Sequence, residues 1–316
     1  MPLPNDAKIV ALSNELLKTF DAVFGLHPGF RPAHAKGQML TGIFTPSPAA
    51  ATLSRAPHFD RPSTPVTARF SDGTGIPLIP DPDPNASPRG FAIRFNLAEH
   101  VHTDIIAHST DSFPTHTGDE FLAFFRALAA SSSSKESPSP VERFLGTHPA
   151  ALAFVQAPKP APSSFARESF FGITAMHFTN GRGDTRFGRY RLVPLEGNDY
   201  LDTAALKSKT ANYLFDDLDG RIARTPIKFR LLIQLANDGD IVDNATIHWP
   251  EDRAQIEAGI IALDRRVADD DHEQKRIVFD PIPRVDGIDP SGDPLLELRA
   301  AIYLLSGRRR RAAPEK

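Results

Sequence analysis

The sequence predicts an α+β fold, a closed antiparallel β-barrel with helices appended to it. Three observations lead there. Many short segments rich in β-branched and aromatic residues are separated by turn signals. Helical patterns lie at the two ends and in one middle stretch, not between successive strands. Neither a βαβ rhythm nor an internal repeat is present, which argues against a doubly wound nucleotide fold.

Taken in chain order, residues 5–24 place Ile9, Val10, Leu12, Leu16, Leu17 and Phe20 at helical spacing, predicting an N-terminal helix within residues 1–25. Strands are expected over 38–45, 64–71, 90–96 and 102–107. The proline-rich run 77–88 predicts extended or turning backbone. Helices follow over 118–131 and 140–157, each near a Ser or Thr cap, with 131–142 as a Pro/Ser excursion. Further strands are expected over 169–178, 184–193, 226–236, 259–264 and 276–280, then a last helix from about 293. Residues 1–316 read as one domain, with 308–316 as a tail.

Composition narrows the function. The chain has 316 residues, 41% of them hydrophobic and 24% charged, ordinary for a globular protein. A net charge of -3 gives no general pull towards nucleic acid or acidic lipid. With no cysteine, disulfides, thiolate catalysis and Cys-ligated metal or haem are excluded. Any metal must be held by His, Tyr, carboxylate or a cofactor. Charged residues through the first 25 positions exclude a signal-peptide core, and no apolar run approaches a membrane span, so the expectation is a cytoplasmic protein.

The last helix carries the strongest chemical hint. Asp293-Pro294 is a good start signal, and the LLELRAAIYLL that follows is apolar almost all round, predicting burial. Arg299 and Tyr303 interrupt it four residues apart, on one face. A guanidinium beside a phenol favours the phenolate, a hard ligand suited to ferric iron. On these two residues alone, a buried Tyr bonded to Arg within a structural helix is the commoner explanation. His34, among small residues in Arg31-Pro-Ala-His-Ala-Lys-Gly, is either a general acid/base or a loop histidine bonded to backbone. Arg69 in Arg-Phe-Ser71-Asp and Arg89 and Arg94 in Pro-Arg-Gly-Phe-Ala-Ile-Arg are strand arginines. They point to an anionic ligand, unless they lie on the outside of a barrel.

Other signals carry less. Arg308 to Arg311 end a helix, where cations suit the dipole. Arg182-Gly-Asp184 reads as a turn, and Asp269-Asp-Asp-His-Glu273 as a solvated loop. His100 and His102 lack a carboxylate spaced to complete a metal site.

Together the segments His34-Ala-Lys-Gly, Arg69-Phe-Ser71, Pro88-Arg-Gly-Phe-Ala, Phe279-Asp-Pro281 and Arg299-x-x-x-Tyr303 occur in the order seen in catalases. Over residues 30–310 the chain resembles the short branch called catalase-related peroxidases. The resemblance implies an eight-stranded haem barrel, with haem b as cofactor and Tyr303 as the axial ligand of its ferric iron. It implies that Arg299 stabilises Tyr303, that His34 is the distal acid/base and that Ser71 orients its ring. Arg31, Arg69 and Arg310 would pair with the haem propionates, and Phe113 would wall the distal pocket.

Departures qualify this expectation. His108 stands where catalases place an asparagine that polarises peroxide, which weakens the case for efficient hydrogen peroxide disproportionation. Thr174 stands where, in a loose alignment, a histidine is usual. The chain lacks room for the arms and wrapping segment of full-size catalases, so NADPH is not expected. The expected activity is reduction of hydrogen peroxide or organic hydroperoxides by a small organic electron donor, with weak catalase turnover beside it. A fatty-acid hydroperoxide isomerase is the nearest rival. Ala33 before the histidine, where such relatives carry threonine, leans against it. A non-enzymatic haem carrier or sensor is the rival from another class. Neither nucleic acid nor membrane is an expected partner, and a homo-oligomer, dimer or tetramer, is left open.

Overall fold

The structure is a computed structural model that describes residues 3–314. In chain order its first half comprises α1 (Ala7–Phe24), β1 (Gly37–Pro46), α2 (Ala50–Leu53), α3 (Pro57–Asp60), β2 (Thr64–Ser71), β3 (Gly90–Ala98), β4 (Val101–His108), α4 (Gly118–Ser131), α5 (Pro140–Thr147) and α6 (Pro149–Gln156). Its second half comprises β5 (Phe170–Phe171), β6 (Met176–Thr179), β7 (Thr185–Pro194), α7 (Thr203–Lys207), α8 (Tyr213–Ile222), β8 (Ile227–Leu235), β9 (Gln255–Arg266), α9 (Asp270–Arg276), β10 (Ile288–Pro290) and α10 (Leu295–Ala312).

Antiparallel pairing closes a barrel. Strands β1, β2, β3, β4, β5, β7, β8 and β9 pair in that order and β9 returns to β1, which makes the expected eight-stranded ring. Strands β6 and β10 extend the free end of β7 outside it. The interior is aromatic: Phe70 stacks on Phe91 with ring centroids 4.3 Å apart, and Phe165, Phe170 and Phe229 complete the cluster. Each is fully buried, worth about 1.5–3 kcal/mol against exposure.

Strand periodicity then fixes what the outer face carries. Val66, Ala68 and Phe70 of β2, Phe91, Ile93 and Phe95 of β3, and Ile105 and Ala107 of β4 point into the core. The alternate residues form rows across β1–β4 on the other face. One row is Gly37, Ser71, Gly90, His108; the next is Met39, Arg69, Ala92, Ile106; the third is Thr41, Thr67, Arg94, Asp104. Helices α1, α4 and α10 pack together around a second apolar cluster that includes Leu16, Leu17, Phe20, Leu122, Leu298 and Ile302. The space between these helices and the first two rows is the cavity described below.

Several elements differ from the sequence expectation. The helix over 140–157 divides at Pro149, whose ring cannot continue the preceding turn. The strand over 169–178 divides into β5 and β6, which pair with different parts of β7. No strand forms over 276–280. The carbonyls of Ile277 and Val278 accept instead from the guanidiniums of Arg31, Arg310 and Arg94, and the Asp280 amide donates to Asp104. The acidic run from Asp269 is not a solvated loop: most of it is α9, and Asp270 is buried, accepting from the Met39 amide. The tail expected from residue 308 stays helical to Ala312. Gly307 lies against Val278, and Arg310 is only 3% exposed, donating to Ser306. Asp293, expected as the helix cap, accepts from the Leu295 amide just ahead of the first turn.

Candidate active site

One cavity collects every residue singled out from the sequence as a site residue. Arg31, His34, Arg69, Ser71, His108, Phe113, Arg299, Tyr303 and Arg310 all line it, and its space, open mouth included, is about 1130 Å³. Phe20, Phe121, Val278, Phe279 and Ile302 give it broad apolar walls. That mixture of apolar wall and a few convergent polar groups is the form of a small-molecule or cofactor site.

His34 lies between α1 and β1 in a left-handed conformation, φ 56°, uncommon for a residue with a side chain. Its surroundings hold it there. The His34 and Ala35 amides donate to the carbonyls of Gly73 and Thr74, and Arg69 Nη2 donates to the carbonyls of His34 (3.0 Å) and Ala35 (3.1 Å). The ring shares a hydrogen bond between Nδ1 and Ser71 Oγ at 3.1 Å. Burial, reinforced by the charge of Arg69, pushes its pKa down to about 4, so the ring is neutral at ordinary pH. Glycine is required beside it: a Cβ on Gly90 would stand 2.5 Å from Ser71 Oγ and 2.8 Å from His34 Nδ1.

His108 ends β4 in the same row as Ser71. Its Nδ1 bonds to Thr110 Oγ1 at 2.9 Å, and burial, with the Arg299 charge next, holds its pKa down to about 3. Phe113 packs on Phe121, ring centroids 4.9 Å apart, in the wall formed with α4. On α10, Arg299 Nε donates to Tyr303 Oη at 3.2 Å, one helical turn apart as the spacing requires.

Arg31, Arg69 and Arg310 form a cationic corner. Each is held below the ordinary guanidinium range by burial and, next, by the charge of another of the three. Their hydrogen bonds go to carbonyls, to Ser306 and to Gln274, and none has a carboxylate at ion-pair distance among the described residues. Arg310 Nε has no partner there at all. Such a corner calls for an anion.

Arg89 and Arg94 are paired with carboxylates within the protein, which corrects the expectation that they face an anionic ligand. Arg89 is buried against Asp72 and the Asp81 carbonyl, and Arg94 makes a two-point pair with Asp104 at 2.9 and 2.7 Å. Thr174 is buried and does not line the cavity. Gln274 on α9 was not foreseen; its Oε1 accepts from Arg69 Nε at 2.7 Å, and its Nε2 donates to the Gly37 carbonyl at 3.0 Å. The only sequence signal for it was a polar residue four positions after Asp270, in a run that looked solvated. No group of three or more His, Asp or Glu able to hold a metal is found among the described residues.

The haem implied by the sequence resemblance fits this donor set. Apolar walls suit a macrocycle, arginines without a carboxylate at ion-pair distance suit its acid groups, and Tyr303 offers a phenol oxygen held by Arg299.

Known proteins agree with this reading of the fold. The catalase family model matches residues 29–315. The catalase-related peroxidase of Synechococcus elongatus is 34% identical over 93% of this chain and 87% of its own. That of Mycolicibacterium paratuberculosis is 31% identical over 89% of each. A bacterial catalase structure superposes with a TM-score of 0.78 at 22% identity, covering 97% of this chain and 62% of that one. Catalase A from Saccharomyces cerevisiae gives 0.78 at 20%, over 90% and 62%. The chain thus spans about three fifths of the length of these catalases, and at such identity the likeness concerns the fold. Among the described residues no helix is long and apolar enough to cross a membrane. The matched profile, the two relatives and the barrel together place the chain in the catalase family, in its short catalase-related peroxidase branch.

Proposed function

We propose that the chain is a haem-dependent peroxidase that reduces hydrogen peroxide and organic hydroperoxides at the expense of a small organic electron donor, with weak catalase turnover beside it. The observation that carries this reading is one cavity lined both by the His34–Ser71 pair and by the Arg299–Tyr303 pair.

Haem b would be held through Tyr303 Oη, with Arg31, Arg69 and Arg310 on its acid groups. When bound, it supplies an iron centre that exchanges electrons with peroxide and donor. The protein's own part is proton handling. Ser71 occupies His34 Nδ1, which leaves Nε2 as the nitrogen that moves a proton. A neutral imidazole takes the proton of one peroxide oxygen and returns it to the other, so that water or an alcohol departs as the O–O bond breaks. Arg299, donating to Tyr303 Oη at 3.2 Å, fixes how that oxygen is presented to the cavity. His108, tied to Thr110, can hydrogen-bond peroxide, but as a bulkier group than an amide. Phe113 and Phe121 exclude water from the same space.

The absorption spectrum of protein produced with a haem supply is the direct test. A Soret band is expected, and Tyr303→Phe, which deletes one oxygen, should shift it and weaken haem retention. A wild-type protein without a Soret band sinks the reading. His34→Leu should lower peroxide turnover about 10²–10⁴-fold. An allene oxide as the main product from a lipid hydroperoxide would replace the peroxidase by an isomerase.

A further inference from the structure

We propose that Gln274 is a positioning residue for the anion-binding corner: it holds the Arg69 guanidinium from behind with a neutral amide, with no carboxylate at ion-pair distance. This rests on the reading above, in which Arg31, Arg69 and Arg310 receive the acid groups of a haem.

Other buried arginines of this protein are met in two ways. Arg89 faces Asp72 and Arg191 faces Asp111 at ion-pair distance, whereas Arg189 donates to the Asn244 and Ile247 carbonyls and lies over the Trp249 ring. Arg69, at 3% exposure, is of the second kind, and of these four it alone lines the cavity. Its Nε is taken by the neutral amide oxygen of Gln274 at 2.7 Å, and its Nη2 by two backbone carbonyls. These acceptors fix the plane of the guanidinium and place no counter-charge beside it.

Helix α9 could have supplied that charge. Asp270 lies four residues before Gln274, one turn earlier on the same face, and its carboxylate is turned to the Met39 amide at 3.1 Å. Gln274 in turn anchors itself through Nε2 to the Gly37 carbonyl. That anchor sits where the chain passes closest to Arg69. A Cβ on Gly37 would lie 2.3 Å from Arg69 Cζ. Glycine, amide and guanidinium therefore form one close-packed stack, with Gly37 at the end of the Ser71 row and Arg69 in the row beside it.

A carboxylate in place of the amide has the same shape and would keep the bond to Arg69, while losing the donor that reaches the Gly37 carbonyl. It would also neutralise the cation, and thereby compete with any anion entering the cavity. The substitution separates a positioning role from a merely structural one, because only the first predicts a loss of haem retention out of proportion to the loss of stability. In full-length Gln274→Glu, apo-protein thermal stability should fall less than in Gln274→Met, because the bond to Arg69 is kept although the bond to the Gly37 carbonyl is lost. Haem retention, read as the rate of transfer from the loaded protein to an excess of apomyoglobin, should worsen by about tenfold. Gln274→Met, which loses both hydrogen bonds, should lower stability and haem retention together. Apo-protein stability falling as far in Gln274→Glu as in Gln274→Met would overturn the proposal, as would wild-type haem retention in Gln274→Glu. A wild-type protein that takes up no haem defeats the underlying reading first, and is recognised before any variant is made.

Discussion

Arg69 and His34 are joined through the backbone: the guanidinium donates to the His34 carbonyl at 3.0 Å and to that of Ala35 at 3.1 Å. The residue assigned to the anion corner thus also braces the strained turn, φ 56°, that presents the histidine ring. Lysine has one compact charge and no planar fork, so it cannot serve Gln274 and both carbonyls together. Arg69→Lys should lower peroxide turnover about 10–100-fold even when haem is saturating, because a small misplacement of a catalytic group has effects of that size. Steady-state kinetics at full haem loading checks it; unchanged kcat would separate the two residues.

Gly90 gives a sharper test of the same ring. An added methyl would meet Ser71 Oγ and His34 Nδ1 inside contact distance. Gly90→Ala should weaken the fold by about 1–3 kcal/mol through overpacking, and turnover by roughly 100-fold through displacement of the ring. Denaturant unfolding and peroxide kinetics measure the two effects separately. Full turnover in the variant would mean that the ring is not held by Ser71.

Acid should affect activity late. The His34 pKa is pushed down to about 4, so the neutral ring persists well below pH 6.5, and the acid limb of kcat/KM should lie nearer 4 than 6.5. Stability follows by linkage. Between those values the unfolded chain binds a proton that the folded ring refuses, so His34 makes the fold less stable as pH falls from 6.5 towards 4. His58 and His108 act in the same direction, whereas burial raises the pKa of Asp72 and Glu168 and works oppositely. Comparing the wild type with His34→Gln isolates the one ring: the variant should lose less stability on acidification. Parallel stability profiles would refute the assignment.

His108 bears on which peroxide chemistry prevails. Its ring, bonded to Thr110, is larger than the asparagine usual at this point in catalases. His108→Asn should raise oxygen release from hydrogen peroxide relative to oxidation of a phenolic donor. Following both reactions on one preparation decides it, and an unchanged ratio would remove His108 from the argument.

Much of this was legible in the sequence because it was local. Alternation in β2 and β3 set which residues face out, and the four-residue spacing of Arg299 and Tyr303 set their bond. The ordered motifs, read as a resemblance, then named nine of the residues that line the cavity. What escaped depended on contacts between distant segments. Nothing near residue 277 says that its carbonyl will be claimed by Arg31 and Arg310, so a hydrophobic run passed for a strand. Nothing in an acidic run says that Asp270 will meet the Met39 amide 231 residues away. Arg89 and Arg94 looked available to a ligand because Asp72 and Asp104 become their partners only when the barrel closes.

The alternation of β2 has a last consequence, for how faithfully the molecule assembles. Phe70 belongs to the core, while Arg69 and Ser71 belong to the cavity. Sliding β2 by a single residue against β1 and β3 would turn Phe70 outward and drive a guanidinium among the four phenylalanine rings that remain. A chain paired that way loses both its oil and its charge balance, so it is rejected before it can become a misassembled enzyme. The greasy interior thereby proofreads the reactive exterior, and correct folding is enough to deliver Ser71 to His34.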